Sequence, residues 1–172
     1  MLPIQGIFDG DADRRMTNQG KRIEVTLETL VESVDLAEEI TLRVADAVGF
    51  DEEDRHKIGM SVRECVINAY VYGNGEDRAK KIGLALELLA DKLVIHITDQ
   101  GEGFDLGDVP DPLAEENLLK SSGRGILLMR AFMDEFDVRR TAQGGAEIIM
   151  AKRYPAARAA EPGALSTGEK EE

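Results

Sequence analysis

Polar and apolar residues alternate with period two in several stretches of the chain and recur at helical spacing in others, and the order of these stretches predicts the fold. Ile23, Val25 and Leu27 alternate with Glu24, Thr26 and Glu28, the pattern of a strand with one buried face. Ser33 is followed by Leu36, Ile40, Val44, Ala47 and Val48, a helical stripe for which Ser33 and Asp35 offer N-terminal capping and Gly49 a stop. A second helix is predicted from Asp51-Glu52-Glu53, whose carboxylates suit the positive end of the helix dipole, through Ile58, Val62, Cys65 and Ala69 towards Tyr72 and Gly73. After an Asn74-Gly75 turn, Ile82, Leu84, Leu86 and Leu88 alternate as a strand. The turn Ala90-Asp91-Lys92 joins it to Leu93-Val94-Ile95-His96-Ile97-Thr98 as an antiparallel hairpin. Helical spacing returns from Ile126 to Phe136, and Asp137–Arg140 with Ala146–Met150 form a last hairpin across Gln143-Gly144-Gly145.

Three segments fall outside this periodicity. Leu106 to Ser122 carries Gly107, Pro110 and Pro112 and reads as a long loop with at most a short helix near Leu113 to Leu119, either a lid over a ligand or a plain surface loop. Residues 1–21 read as a flexible N-terminal arm and residues 155–172 as a disordered tail of Ala, Pro, Gly and charges, which leaves one domain at 22–154. Strand, two helices, two strands, loop, helix and two strands predict an α+β two-layer sandwich, a mixed β-sheet with helices on one face.

Charge narrows the range of partners. With 34 acidic and 21 basic residues among 172, the formal net charge of −13 repels phosphate backbones and argues against direct nucleic-acid binding. A protein partner is easier to accommodate. The single cysteine, Cys65, cannot form an internal disulfide, and among Val62, Val66 and Ala69 it reads as a buried structural thiol. No leader or long apolar run is visible, so the expected location is the cytoplasm, without membrane association. His56 reads as an exposed helix residue and His96 as a strand residue facing away from Asp99, neither with metal-ligand spacing.

Three stretches carry the candidate chemistry. Leu93, Ile95 and Ile97 share a strand face on which Asp99 ends, and an acidic group at the edge of an apolar layer needs water or a donor, such as the exocyclic amine of adenine. Gly101 and Gly103 follow, each able to let backbone approach a ligand closely. Glu64 and Asn68 stand at i and i+4 on one helix face. One amide oxygen from Asn68 plus phosphate oxygens would satisfy Mg²⁺, and Glu64 one turn earlier could take a proton from an attacking hydroxyl or water. Ser122-Gly123-Arg124-Gly125 opens into Ile126-Leu127-Leu128-Met129, a glycine-rich helix N-terminus suited to phosphate, with Lys120 and Arg124 as the nearest cations. Taken singly, each stretch also fits an ordinary solvated helix face or glycine turn.

In the order E-x-x-x-N, D-x-G-x-G, G-x-G, these stretches resemble the N, G1 and G2 boxes of the GHKL ATP-binding superfamily, which holds gyrase B, MutL and the sensor histidine kinases, over residues 22 to 154. Asn68-Ala69-Tyr70-Val71-Tyr72-Gly73-Asn74 and Ser122-Gly123-Arg124-Gly125-Ile126-Leu127-Leu128-Met129 look most like the stand-alone anti-sigma factor serine/threonine kinases of bacterial partner switching. The resemblance implies the Bergerat fold, ATP and Mg²⁺ as cofactors, Asn68 for the metal, Glu64 as general base and Asp99 for adenine. It places Gly101, Gly103, Gly123 and Gly125 around the nucleotide. It also implies a homodimer that phosphorylates a small antagonist protein and sequesters a sigma factor. Tyr72 departs from the histidine many relatives carry there. Two other functions fit the same boxes: a module that holds ATP without transferring phosphate, and a detached histidine-kinase catalytic domain.

Overall fold

Strand β1 (Lys21–Glu28) lies at the edge of a five-stranded sheet and buries Leu27 while Ile23 stays largely exposed. The structure, a computed structural model, describes residues 20–103 and 124–156. The expected arm, the 106–122 loop and most of the expected tail lie outside those residues. Helix α1 (Glu32–Ala47) follows β1, and α2 (Glu52–Asn68) lies beside it. Strand β2 (Lys81–Leu88) and strand β3 (Lys92–Thr98) then form a hairpin, and α3 (Arg124–Phe132), β4 (Glu135–Arg140) and β5 (Ala146–Arg153) complete the chain of elements.

The strand order is β1-β2-β3-β5-β4, and every pairing is antiparallel, where the element order suggested a mixed sheet. The topology explains the difference. Two antiparallel helix passes return the chain to the edge where β1 ended, so β2 starts beside it and runs the other way. After β3, the single pass through α3 makes β4 run in the same direction as β3, but β5 inserts between them and opposes both. The rest of the fold class stands: an α+β sandwich with helices over one sheet face.

Alternation sets that face. Leu84 pairs with Ile97, Leu86 with Ile95, Ile95 with Met150 and Ile97 with Ile148, all buried against Val34, Ala37, Ile58, Val62 and Val66 from the helices. Burial of such side chains stabilises by about 1.5–3 kcal/mol each and fixes the register, because a one-residue slip would turn the whole set outward. The opposite face carries a small cluster of Val94, Ile149 and Ala151 with Leu89 beside it. His96 lies there too, as expected, with Nδ1 3.0 Å from Glu147.

Helix α1 departs from its expected cap and face. Its N-cap residue is Val31 with no side-chain cap, and Ser33 Oγ instead donates to the Glu28 carbonyl at 2.7 Å, tying the helix to the end of β1. Val34, Ala37, Thr41 and Ala45 form its buried stripe, whereas Leu36 is exposed. The start of α2 agrees with its sequence: Asp51 caps it by accepting from the Asp54 N–H at 2.8 Å. Gly49, at φ +89°, makes the turn between the two helices. Helix α3 ends at Phe132, and Phe136 belongs to β4, because Lys152 Nζ takes the Phe132 carbonyl at 2.8 Å and the chain turns there into the sheet. Among the described residues no helix is long and apolar enough to cross a membrane.

Candidate active site

Helix α2 keeps its α-helical register to Asn68 and then widens into a π-helical turn, Ala69–Gly73, closed by the Asn74 N–H donating to the Ala69 carbonyl at 2.7 Å. Such turns are rare and concentrate at functional sites. Here the wider turn brings the Gly73 backbone flush against the end of β3. A Cβ on Gly73 would stand 2.5 Å from the Asp99 carboxylate, and one on Gly101 would land on the Gly73 carbonyl oxygen. A side chain at either position would fill the space the carboxylate and its turn occupy.

Asp99 is held from two sides. Its Oδ1 accepts from the Gly101 N–H at 2.9 Å and the Ala146 N–H at 3.0 Å, while its own N–H donates to the Ala146 carbonyl at 2.9 Å. A Cβ on Gly145 would land on the Asp99 carbonyl, so the β4–β5 hairpin reaches this position only because that residue is glycine. One carboxylate oxygen is thereby fully engaged. Among the described residues the other, Oδ2, takes no hydrogen bond and remains an acceptor on the Gly73 side. Gly103 adopts φ +68° against the Gly144 and Gly145 carbonyls, and Arg140 Nη1 donates to the Glu102 carbonyl at 2.7 Å, which holds the loop to β4.

Glu64 and Asn68 meet the start of α3. A Cβ on Gly125 would stand 2.8 Å from Glu64 Oε2 and 3.5 Å from Asn68 Nδ2, so the first turn of α3 passes directly over this pair. Both side chains are partly buried, and among the described residues neither has a side-chain hydrogen bond or ion pair. Their polar atoms are therefore available to a ligand beside a helix N-terminus, which favours anionic groups. Arg124 is the first residue of α3. Lys120, Gly123 and the Arg124 side chain lie outside the described residues.

Cys65 lies between the two halves of the site and is fully buried, as expected. Burial first, and the nearby Asp99 charge second, push its thiol far above the ordinary range, which makes it inert packing.

The structure thus gathers Glu64, Asn68 and Gly125 at one end, and Asp99 and Gly101 at the other beside Gly73, where the π-helical turn ends, with Gly103 behind them on the hairpin side. Gly73, Asn74, Gly145 and Ala146 shape this site too, although in the sequence they read only as turn and hairpin residues. The G-x-G before α3 and the paired glycines at 144–145 were the available signals, and neither says which backbone they would meet.

An acceptor beside a glycine-lined cradle, with a paired carboxylate and carboxamide facing a helix N-terminus, offers on a helix-covered antiparallel sheet the donors and acceptors that a nucleotide requires. The profile of the Histidine kinase-like ATPase domain matches residues 27–152, and the chain belongs to that family, a branch of the GHKL group. Membership carries ATP binding with it. Relatives include a serine-protein kinase RsbW of Oceanobacillus iheyensis, 29% identical over 136 residues that make up 76% of this chain and 85% of that protein. An anti-sigma F factor of Clostridium perfringens is 31% identical over 103 residues, 59% of this chain and 74% of the relative. The crystal structure of RsbU and RsbW domains from Mycobacterium tuberculosis superposes with a TM-score of 0.55 at 18% identity, covering 77% of this chain and 32% of that longer one, and it shows the fold.

Proposed function

We propose that this chain is an ATP- and Mg²⁺-dependent serine/threonine protein kinase. In this reading its domain at 22–154 phosphorylates an antagonist protein and sequesters a sigma factor, working in the cytoplasm as a homodimer. The observation that carries this reading is Glu64, a partly buried carboxylate that has no side-chain partner among the described residues, one helical turn from Asn68 and under the first turn of α3. A purely structural carboxylate in such a place would be expected to hold an Arg, a Lys or a backbone N–H. The names of the relatives, a serine-protein kinase and an anti-sigma factor, support the same class.

Each residue has a distinct task. Asp99 Oδ2 accepts from the exocyclic amine of adenine, and Asn68 offers its amide oxygen to Mg²⁺. The N–H groups that open α3 face the phosphates, with Gly125 leaving room beside Glu64. Bound Mg²⁺-ATP supplies the phosphoryl group. Glu64 takes the proton from the serine or threonine hydroxyl of the antagonist as that oxygen bonds to phosphorus and ADP departs.

The test uses the purified protein with the partners that copurify with it, identified by mass spectrometry, and labelled γ-phosphate. Glu64→Gln is expected to keep ATP binding and partner capture while transfer falls about 10²–10⁴-fold. Asn68→Ala is expected to lose Mg²⁺-dependent ATP binding as well. Equal transfer by wild type and Glu64→Gln removes Glu64 as the base. Binding of ATP with no transfer by either makes the chain an ATP-holding regulator, and label on a histidine of a partner makes it a detached histidine-kinase domain.

A further inference from the structure

The geometry assigns Asn74 as the positioning residue of the Asp99 carboxylate, and this assignment rests on the reading that Asp99 meets the adenine amine. Asn74 follows the π-helical turn, is 1% exposed, and uses its whole carboxamide. Its Nδ2 donates to Thr29 Oγ1 at 2.8 Å and to the Lys81 carbonyl at 3.0 Å. Its Oδ1 accepts from the Gln100 N–H at 2.8 Å. Thr29 Oγ1 in turn donates to the Lys80 carbonyl at 2.8 Å, and Gln100 Oε1 accepts from the Lys81 N–H at 2.7 Å. One buried amide therefore joins the end of β1, the start of β2 and the residue immediately after Asp99.

Only a carboxamide can fill this place. It must present two donors to Thr29 and Lys81 and an acceptor to Gln100 within one planar group. A carboxylate lacks the donors, and a hydroxyl has a single donor where two are needed. The consequence falls on Asp99. Its Oδ1 is pinned by the N–H groups of Gly101 and Ala146, one on each side of the chain, and the Gly101 side keeps its geometry only while Gln100 is fixed. Gly73, immediately before Asn74, packs against the carboxylate that Asn74 steadies through Gln100. Asn74 thus sets the direction of Oδ2, which takes no hydrogen bond among the described residues, through the Gln100 backbone and takes no part in ligand contact itself.

The test compares ATP with purine riboside triphosphate, which has the same ring and phosphates but no exocyclic amine, by titration calorimetry. Wild type is expected to prefer ATP about tenfold or more, the worth of one hydrogen bond to a charged acceptor. Asn74→Ala is expected to reduce that preference to about twofold or less while leaving the affinity for purine riboside triphosphate within about twofold. Asn74→Asp keeps an acceptor for the Gln100 N–H but sets a buried carboxylate oxygen against the Lys81 carbonyl, so it is expected to lower the melting temperature yet retain the preference. A wild type with no preference overturns the role of Asp99 itself. A preference that survives in Asn74→Ala, or an equal loss of both nucleotides, overturns the role of Asn74. Hydrogen exchange on the nucleotide-free wild type supplies a measurement that does not depend on either variant folding: the Gln100 amide is expected to be protected like the β3 strand amides, and free exchange refutes the tether.

Discussion

Replacing Asp99 by Asn separates the two oxygens of that carboxylate by chemistry while leaving its shape intact. Oδ1 accepts from Gly101 and Ala146 at 2.9 and 3.0 Å, and an amide oxygen can occupy the same position with the same two donors. The amide nitrogen must then stand where Oδ2 was, on the Gly73 side, and there it presents a donor to the adenine amine, itself a donor. A hydrogen bond to a charged acceptor contributes about 1.5–3 kcal/mol, and its loss lowers affinity by about 10–150-fold at 1.4 kcal/mol per decade. The fold keeps its two anchoring bonds, so the denaturation midpoint is expected to shift by no more than about 1 kcal/mol in stability. Because the new nitrogen can donate to the carbonyl of guanine, the ATP-to-GTP preference is expected to fall further than ATP affinity alone. Titration calorimetry with both nucleotides, beside urea denaturation of the same samples, reads all three quantities. Unchanged ATP affinity in Asp99→Asn would refute the adenine assignment. A loss of stability that matches the loss of affinity would show that the carboxylate holds the loop and does not read the base.

Gly101→Ala places a Cβ on the Gly73 carbonyl oxygen, backbone that cannot swing aside, and is expected to abolish measurable ATP binding; wild-type affinity in a calorimetric titration contradicts the close approach. Lys152→Ala removes a 4% exposed ammonium that donates to the Phe132 carbonyl and lies 3.6 Å from Asp54 and 3.7 Å from Asp134. Breaking such a buried group costs about 3–5 kcal/mol, and a loss below about 1 kcal/mol on urea denaturation contradicts it. The hydrogen bond from His96 holds the Glu147 carboxyl below its ordinary value of 4.5, so its stabilising contribution is full above that value and disappears as pH falls through the lowered one. Glu147→Gln is therefore expected to be less stable than wild type at pH 7, with the gap narrowing as pH falls below the ordinary glutamate range; a gap that is constant in denaturation curves between pH 7 and pH 3 rejects the linkage.

The placement of the residues proposed to carry chemistry was legible because their signals are local. Period two from Leu93 to Ile97 puts Asp99 on the buried face, and i, i+4 spacing puts Glu64 and Asn68 on one helix face; both follow from backbone geometry alone. What aims those residues was not legible, because it depends on which distant backbone arrives beside them. Asn74 before Gly75 has the sequence of a surface turn, and Gly75 does adopt φ +61°, yet Asn74 is buried because β1, β2 and the loop after β3 converge on it. Lys152 occupies the inward position after Ile148 and Met150, where alternation demands an apolar side chain, and it fits only because Asp54 from α2 and Asp134 after α3 meet there. Ser33 has the sequence of a helix cap, but its acceptor is the Glu28 carbonyl at the end of β1. The three glycines that enclose Asp99, at 73, 101 and 145, come from the π-helical turn, the loop after β3 and the last hairpin. The contact of Gly145 exists only once β5 has inserted between β3 and β4, since a β4 paired directly with β3 would leave the 141–146 turn one strand away from Asp99. Sheet order is therefore a condition of the nucleotide recognition proposed for Asp99: the insertion that makes the sheet wholly antiparallel also delivers the Ala146 N–H to Asp99 Oδ1.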